Sequence, residues 1–232
     1  MKSVTLFLSV FLFSLSTLHG QEVDKNYLLG KFNQNQDDRF VQLDDQYTGG
    51  SAKGAYLRKE TYEAFVRMAE AAKQDGVNLV IISATRNYLQ QKAIWERKWV
   101  NDKESKTDVD RAKKILLYSS MPGSSRHHWG TDMDLNNLNN EYFDSGEGLK
   151  IYEWLKAHAH EYGFCQPYTT KTDGRTGYEE ERWHWSYTPL SIPFLEAYKK
   201  TVALTDIRDF LGSETAAKID IITNYVDGVA CK

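Results

Sequence analysis

The chain has 232 residues, of which 29 are lysine or arginine and 32 are aspartate or glutamate, so its formal net charge is -3. This balance leaves no basic surface of the kind that binds nucleic acid, and we exclude nucleic acid as a partner. The aromatic fraction of 13% includes six tryptophans. Core packing is the expected use for most of these side chains.

The first 20 residues predict a secretory signal. Lys2 precedes an apolar run from Thr5 to Leu18, and polar sequence follows at once. The run is shorter than the about 20 apolar residues that a membrane-spanning helix needs, and its flanks are typical of an export signal. A retained N-terminal anchor is the alternative. We therefore expect residues 21–232 to form one exported domain with no stable membrane span after signal cleavage.

The two cysteines, Cys165 and Cys231, lie far apart in the chain. In an exported protein they are candidates for an intramolecular disulfide, which by the chain-entropy model would contribute roughly 4 kcal/mol. Two free thiols and an intermolecular bond are the alternatives. Because neither cysteine has a neighbour of its kind, the sequence argues against a redox or cysteine-metal site.

Hydrophobic periodicity predicts helices and one early strand in the first half of the chain. Apolar residues recur at helical spacing over residues 60–75, and Gly76 ends this helix. The run VNLVIIS is rich in β-branched residues and predicts a buried strand that ends at Ser83. Further helices are predicted at 88–99, 108–118 and 149–162, the last stopped by Gly163.

Strands are predicted in three later segments, MDLNNL, FCQPY and ERWHWSY. Long irregular connections separate them, which does not suit a regular βαβ array. The C-terminal segment 189–232 is predicted to be helical. We therefore predict an α+β fold in a single domain, with a small, mainly antiparallel sheet and flanking helices.

The segment PGSSRHHWGTDMD, residues 122–134, has a spacing that suits metal coordination. His127 and Asp134 are seven residues apart, and Gly130 permits a tight backbone course that turns both toward one point. A catalytic zinc commonly takes three protein ligands and keeps a fourth position for water. Alone this pattern is weak, because histidines also cap turns and pair with surface carboxylates.

A third ligand candidate lies in the segment EERWHWSY. His184 lies between two tryptophans, and on a strand its side chain would point opposite to theirs. Glu181 precedes it by three residues and could stand beside a metal without binding it. Together the two segments supply two imidazoles, one carboxylate ligand and a spare carboxylate base, a combination that favours hydrolytic metal chemistry over unrelated surface pairs.

These segments resemble the signatures of the zinc D-alanyl-D-alanine carboxypeptidases of the VanY type. The first is similar to Ser-x-His-x-x-Gly-x-x-x-Asp and ERWH to Glu-x-Trp-His. SATRNYLQQ is similar to Ser-Gly-Tyr-Arg-Ser-x-x-x-Gln, with Arg86 and Gln91 in register. The three lie in the family's order within residues 55–188. The wider group includes D-Ala-D-Ala dipeptidases, lysostaphin-like endopeptidases and the hedgehog signalling domain, and the resemblance implies their fold.

The resemblance implies one Zn²⁺ ion bound by His127, Asp134 and His184, with Glu181 as the general base. The implied reaction is hydrolysis of the terminal D-Ala-D-Ala bond of peptidoglycan stem peptides, in the periplasm or outside the cell. An endopeptidase or D-Ala-D-Ala dipeptidase of the same group is one alternative. A zinc-binding interaction module without turnover is the other.

Three further residues are candidates for catalysis or substrate contact. The resemblance places Arg86 near the substrate, where its guanidinium could stabilise an oxyanion or hold a carboxylate. An ion pair that secures the turn after the strand is the alternative role for Arg86. Ser125 is expected to bond the substrate or to orient His127, and Gln91 is a candidate for substrate binding.

Two departures from the family pattern leave questions open. Ala84 and Thr85 replace Gly-Tyr before the arginine, and Asp132 replaces a small residue two positions before the aspartate ligand. In an extended chain Asp132 would lie on the same side as Asp134, whereas in a turn it would point into solvent.

The remaining histidines are assigned roles outside the metal site. His128 and Trp129 would point away from it if the local chain is extended, and His128 is read as structural or substrate-facing. His158 and His160 lie two residues apart on a predicted helix and do not face each other, so a solvated or packing role is expected.

Overall fold

The computed structural model describes residues 23–232. Its helices are α1 (Lys25–Leu28), α2 (Lys59–Gln74), α3 (Tyr88–Asn101), α4 (Asp108–Ile115), α5 (Gly146–His158), α6 (Thr188–Thr201) and α7 (Thr215–Ile219), and its strands are β1 (Phe40–Gln42), β2 (Tyr56–Arg58), β3 (Ile81–Ser83), β4 (Asp132–Leu135), β5 (Phe164–Cys165) and β6 (His184–Tyr187). The predicted signal lies outside the described residues. Within residues 23–232, no helix is long and apolar enough to cross a membrane.

The strands form a four-stranded sheet in the order β3-β4-β6-β5 and a two-stranded sheet of β1 and β2. Every strand pair in both sheets is antiparallel. In the larger sheet, Asp134 on β4 lies opposite His184 on β6, and Asp132 lies opposite Ser186. The predicted α+β fold with a small antiparallel sheet and flanking helices is confirmed.

The predicted helices are confirmed, with differences at their ends. Helix α4 stops at Ile115 and a turn replaces its expected last residues. Helix α5 continues into a 3₁₀ turn at Ala159–Tyr162, and Gly163 ends it in the left-handed region at φ 84°. The C-terminal segment is helical only in part, since α6, α7 and one π-helical turn, Ile222–Val226, alternate with irregular chain.

The prediction of a buried strand over VNLVIIS is wrong in its length and burial. Only Ile81–Ser83 is a strand, and it lies at the edge of the sheet, where β4 is its one neighbouring strand and a single parallel bridge joins Ile81 to Thr48 on the other side. Val77 and Leu79 are buried, but Asn78 between them is exposed. An edge strand of which only one face is covered needs apolar residues only at alternate positions. The continuous apolar run therefore predicted more burial than β3 has.

Alternation along β4 and β6 separates the core from the site. Met133 and Leu135 belong to an apolar cluster with Trp185 and side chains of α2 and α5. The intervening residues of these strands therefore point to the opposite face of the sheet. Those residues are Asp132, Asp134, His184 and Ser186. The prediction that His184 points away from its flanking tryptophans is confirmed for Trp185, which lies in this cluster. Trp183, in the turn before β6, packs in the same cluster but also lines the cleft beside His184.

A disulfide joins Cys165 at the end of β5 to Cys231, with Cα atoms 6.1 Å apart. The backbone N–H of Ala230 donates to the carbonyl of Pro167 beside it at 2.9 Å. Of the alternatives for the two cysteines, the intramolecular bond is the one present. It attaches the C-terminal segment to the edge of the four-stranded sheet.

Candidate active site

Three buried side chains from separate elements converge on one point. His127 lies in a 3₁₀ turn, Arg126–Trp129, whereas Asp134 and His184 face each other on β4 and β6. The Oδ1 atom of Asp134 lies 3.5 Å from Nε2 of His127 and 3.0 Å from Nδ1 of His184. Ligand atoms about 2.0–2.1 Å from a tetrahedral zinc lie roughly 3.3 Å apart. The three side chains could therefore hold one metal ion.

Gly130 shapes the turn that brings His127 to this point. It ends the 3₁₀ turn in the left-handed region at φ 70°, which L-amino acids with a Cβ adopt at a cost. A Cβ at this position would also collide with the ring of Phe40. The predicted tight course of the backbone between the histidine and the aspartate is confirmed.

The hydrogen bonds of the two imidazoles leave one nitrogen of each directed at the metal position. Nδ1 of His127 lies 2.9 Å from the carbonyl of Ala84, to which it donates, and Nε2 is then an acceptor. Nε2 of His184 donates to Asp132 at 2.9 Å, so Nδ1 is the free acceptor. Oδ1 of Asp134 is buried without a hydrogen-bond partner among the described residues. Converging acceptors of this kind fit a divalent cation.

Glu181 lies beside this cluster, with Oε2 3.5 Å from Nδ1 of His184. Its side chain is almost fully buried. Removal from water, reinforced by the negative charge of Asp134, raises the pKa of Glu181 to about 8. A carboxyl group that titrates near neutral pH is suited to accept and return a proton.

Arg86 lies close to Asp134, with Nη1 3.9 Å from Oδ2 of that residue. Its Nε donates to Gln91 at 3.0 Å and its Nη1 donates to Ser83 at 2.7 Å. Gln91 in turn donates to the carbonyl of Ser120 at 2.8 Å. The guanidinium is therefore fixed in place, and its side chain is still 25% exposed toward the cleft.

A cleft of about 720 Å³ opens over the cluster. Its lining combines charged and aromatic side chains, including Arg86, Lys98, Glu181, Tyr118, Tyr168 and Trp183. A concave site with a few convergent polar groups and a titratable residue of shifted pKa is the usual form of an active site.

Comparison with known proteins identifies the family. Residues 54–190 match the family model of VanY, D-alanyl-D-alanine carboxypeptidase. The chain belongs to the VanY family. The Bacillus subtilis (strain 168) protein named "Putative carboxypeptidase YodJ" is 33% identical over 138 residues, which cover 57% of this chain and 46% of YodJ. The chain thus spans about half the length of that curated relative.

Solved structures share the fold of this VanY-family chain. One is a mutant of the D,D-pentapeptidase VanY from a VanB-type vancomycin-resistance cassette in complex with Zn(II), with a TM-score of 0.53, 22% identity, and coverage of 74% of this chain and 89% of that chain. Another is the LD-carboxypeptidase LdcB, with a TM-score of 0.54, 24% identity, and coverage of 75% and 81%. These likenesses concern the fold.

Asp132, an open question in the sequence, is part of the extended strand β4 in this VanY-family chain and lies on the same side as Asp134. It is fully buried. Arg126 donates to its Oδ2 at 2.9 Å, and Thr131 donates to its Oδ1 at 2.6 Å. The alternative in which Asp132 points into solvent is wrong.

Of the two roles considered for His128, structural and substrate-facing, its contacts agree with the structural one. Its ring is fully buried, with Nε2 accepting from the backbone N–H of Gly123 at 3.0 Å and Nδ1 donating to the carbonyl of Arg86 at 2.6 Å. Trp129 is also buried and donates to the carbonyl of Leu28 at 3.1 Å. Both residues lie in a 3₁₀ turn rather than in an extended chain, and both tie the site to the surrounding core.

Ser125 and the helical histidines lie apart from the converging atoms. The hydroxyl of Ser125 is buried without a hydrogen-bond partner in the described part of the chain. His158 is 3.1 Å from Glu161 and packs against Trp154 with ring centroids 5.0 Å apart. His160 is exposed. The packing and solvated roles expected of these two histidines agree with their positions.

Several residues that line the cleft were not predicted from the sequence. For one of them, Lys98, the sequence does contain a pattern that indicates its position. Gln91, Ile94 and Lys98 are spaced by three and four residues and share one face of α3, and all three line the cleft. Once Gln91 is placed at the site, this spacing brings Lys98 to the same wall. The aromatic residues Tyr168 and Tyr178 lie in and beside an irregular connection and had no such pattern.

Proposed function

We propose that the chain is a zinc-dependent D,D-carboxypeptidase that hydrolyses the terminal D-Ala-D-Ala bond of peptidoglycan stem peptides. One observation carries this proposal. Acceptor atoms of His127, Asp134 and His184 converge beside the buried carboxyl group of Glu181 at a cleft. The family supplies the reaction and the substrate class. The Zn(II) held by the VanY of similar fold supports zinc as the ion.

In the proposed mechanism, bound zinc supplies Lewis-acid activation of a water molecule near neutral pH. Glu181 accepts the proton of the attacking water and returns it to the departing amine. Its place 3.5 Å from the ligand nitrogen of His184 supports this role. General acid–base catalysis of this kind contributes roughly 10²- to 10⁴-fold.

Arg86 is proposed to stabilise the oxyanion that forms on the scissile carbonyl. Its guanidinium is 3.9 Å from the carboxylate of Asp134, and this distance supports a role next to the reacting centre. Gln91 and Ser83 hold it, so little reorganisation is needed as the charge develops. We assign Gln91 the task of orienting Arg86. Ser125, the buried residue that precedes the histidine turn, is assigned the task of supporting His127 rather than contacting substrate.

We also propose that residues 21–232 act as one domain in the cell envelope, after export by the N-terminal signal. Peptidoglycan stem peptides lie outside the cytoplasm, so the substrate requires this location. The disulfide between Cys165 and Cys231 agrees with an oxidising compartment.

The test is the purified protein with synthetic L-Ala-γ-D-Glu-L-Lys-D-Ala-D-Ala, with products separated by mass spectrometry. Release of one D-Ala, abolished by a chelator and restored by zinc, is expected. Release of D-Ala-D-Ala, or an internal cut, would instead assign dipeptidase or endopeptidase activity. Zinc binding by the wild type without any cleavage would favour the interaction module.

Variants connect this activity to the site. Glu181→Ala should reduce the rate of D-Ala release by about 10²- to 10⁴-fold. The matched control is Glu153→Ala, because Glu153 is exposed on α5. The control should keep the wild-type rate.

A further inference from the structure

Asp132 is fully buried yet accepts hydrogen bonds from four side chains. Arg126 Nε and His184 Nε2 each lie 2.9 Å from its Oδ2. Thr131 donates to its Oδ1 at 2.6 Å, and Ser186 donates to the same atom at 2.9 Å. The carboxylate is therefore held in one orientation, with one bond directed at the outer nitrogen of His184.

Stability of the fold does not by itself account for this arrangement. Taking both charges of an Arg126–Asp132 pair out of water costs several kcal/mol per ion, and well-packed apolar residues often serve as well. The guanidinium lies over the ring of Trp129, 4.9 Å from its centroid, and Nη2 donates to Ser186 at 2.6 Å. Arg126 thus has partners besides Asp132, but its Nη1 is buried with no hydrogen-bond partner among the described residues. Asp132 also accepts from His184.

The two imidazoles of the site differ in what holds their outer nitrogens. His127 Nδ1 donates to a neutral backbone carbonyl, that of Ala84, at 2.9 Å. His184 Nε2 donates to the Asp132 carboxylate at the same distance. A hydrogen bond to an ionised acceptor is roughly twice as strong as one to a neutral acceptor. His184 is thus the imidazole whose orientation is fixed by a side chain that can be replaced.

We propose that Asp132, locked in place by Arg126, is the positioning residue for His184. Its bond to Nε2 fixes the ring and its tautomer, so that the Nδ1 lone pair is directed at the metal. Such outer partners of metal-bound histidines are worth about 10- to 100-fold in metal affinity. The inference rests on the metal-ligand role of His184 in the proposed function, and it concerns metal binding rather than peptide cleavage.

The experiment measures zinc affinity by competition with a chromogenic chelator, without substrate. Asp132→Ala alone would leave Arg126 buried without its counter-ion and could unfold the chain. We therefore use two double variants. Arg126→Met/Asp132→Ala removes the pair, and Arg126→Gln/Asp132→Asn keeps a hydrogen-bond acceptor at the same place. Thermal melting of the metal-free proteins reports whether each variant is folded.

The apolar double variant should bind zinc about 10- to 100-fold more weakly than the wild type, and its cobalt(II) absorption spectrum should change. The amide double variant should lose less affinity, because the amide oxygen that replaces the carboxylate still accepts from Nε2 of His184. Wild-type affinity in the apolar variant, or an equal loss in both variants, would overturn the proposal. Absence of zinc binding in the wild type would instead refute the proposed function.

Discussion

Asp134 and His184 lie directly opposite each other on β4 and β6, with Oδ1 and Nδ1 3.0 Å apart. A shift of one residue in this register would turn either side chain to the other face of the sheet. The pairing of two short antiparallel strands therefore sets the position of two candidate ligands. Because these two atoms are so close, a proton on Nδ1 of His184 and a bound metal ion would compete for the same position.

Zinc affinity should fall as the pH is lowered. Burial alone would lower the pKa of His184, but the hydrogen bond to Asp132 and the negative charges of Asp132 and Asp134 raise it to about 9. Below that pH a proton occupies Nδ1 and must leave before a metal binds. Affinity should thus decrease about tenfold for each pH unit below 9. Isothermal titration at several pH values measures this slope, and an affinity independent of pH between 6 and 9 would contradict it.

Glu181→Gln should stabilise the metal-free protein at neutral pH. Burial raises the pKa of Glu181 from 4.5 to about 8, so the unfolded chain loses its proton at lower pH than the folded chain. Keeping this carboxylate ionised in the folded protein therefore lowers the free energy of unfolding. This loss of stability is absent below pH 4.5, grows as the pH rises, and is complete above 8. Glutamine has no charge at any pH, so the variant does not lose this stability.

The expected gain at pH 8 is roughly 1–3 kcal/mol in the free energy of unfolding, measured by urea denaturation in a chelator. At pH 4 the variant and the wild type should agree. Glu153→Gln, at an exposed site on α5, is the control and should change little at either pH. A variant that is less stable than the wild type at pH 8 would show that the carboxylate is stabilised in the folded state.

The three side chains that converge at the candidate metal site, and the helices, could be predicted because their signals are local. Spacing and type marked His127, Asp134 and His184, and the period of apolar residues marked α2 and α3. The partners of Asp132 could not be predicted in this way. Arg126 reaches it from a 3₁₀ turn and Ser186 from across a strand pair, so their contacts depend on backbone geometry and register. The burial of β3 could not be predicted either, because it depends on which strands lie beside β3 in the sheet.

Arg86→Lys should lower kcat of the proposed D-Ala release by about 10²- to 10³-fold, with a smaller effect on KM. Lysine keeps the positive charge but loses the planar fork that Gln91 and Ser83 hold. Arg67→Lys, exposed on α2, is the matched control. If KM rises while kcat is kept, Arg86 binds the substrate carboxylate and the oxyanion role is wrong.

Loss of the disulfide should destabilise the protein without removing its metal site. The double variant Cys165→Ser/Cys231→Ser opens a link between residues 66 apart in the chain. The chain-entropy model gives a decrease of roughly 4 kcal/mol in the free energy of unfolding. Denaturation with and without a reductant measures it. The reductant should destabilise the wild type alone, and equal effects on both proteins would contradict the prediction.

Gly130→Ala should weaken zinc binding as well as stability. An alanine at φ 70° carries the strain of the left-handed region, roughly 1–2 kcal/mol. Its Cβ would also collide with the ring of Phe40, and relief of that overlap costs a further 1–3 kcal/mol, roughly. Because the turn carries His127, the displaced backbone moves a candidate ligand away from Asp134.

Gly146→Ala separates the two effects. Gly146 also has a positive φ, 58°, but a Cβ there meets no atom within 4 Å. This control should show the backbone strain alone and keep wild-type zinc affinity. Urea denaturation and chelator competition on both variants provide the comparison. Equal zinc affinity in the two variants would mean that the turn tolerates the displacement, and that His127 does not depend on a glycine to reach the metal.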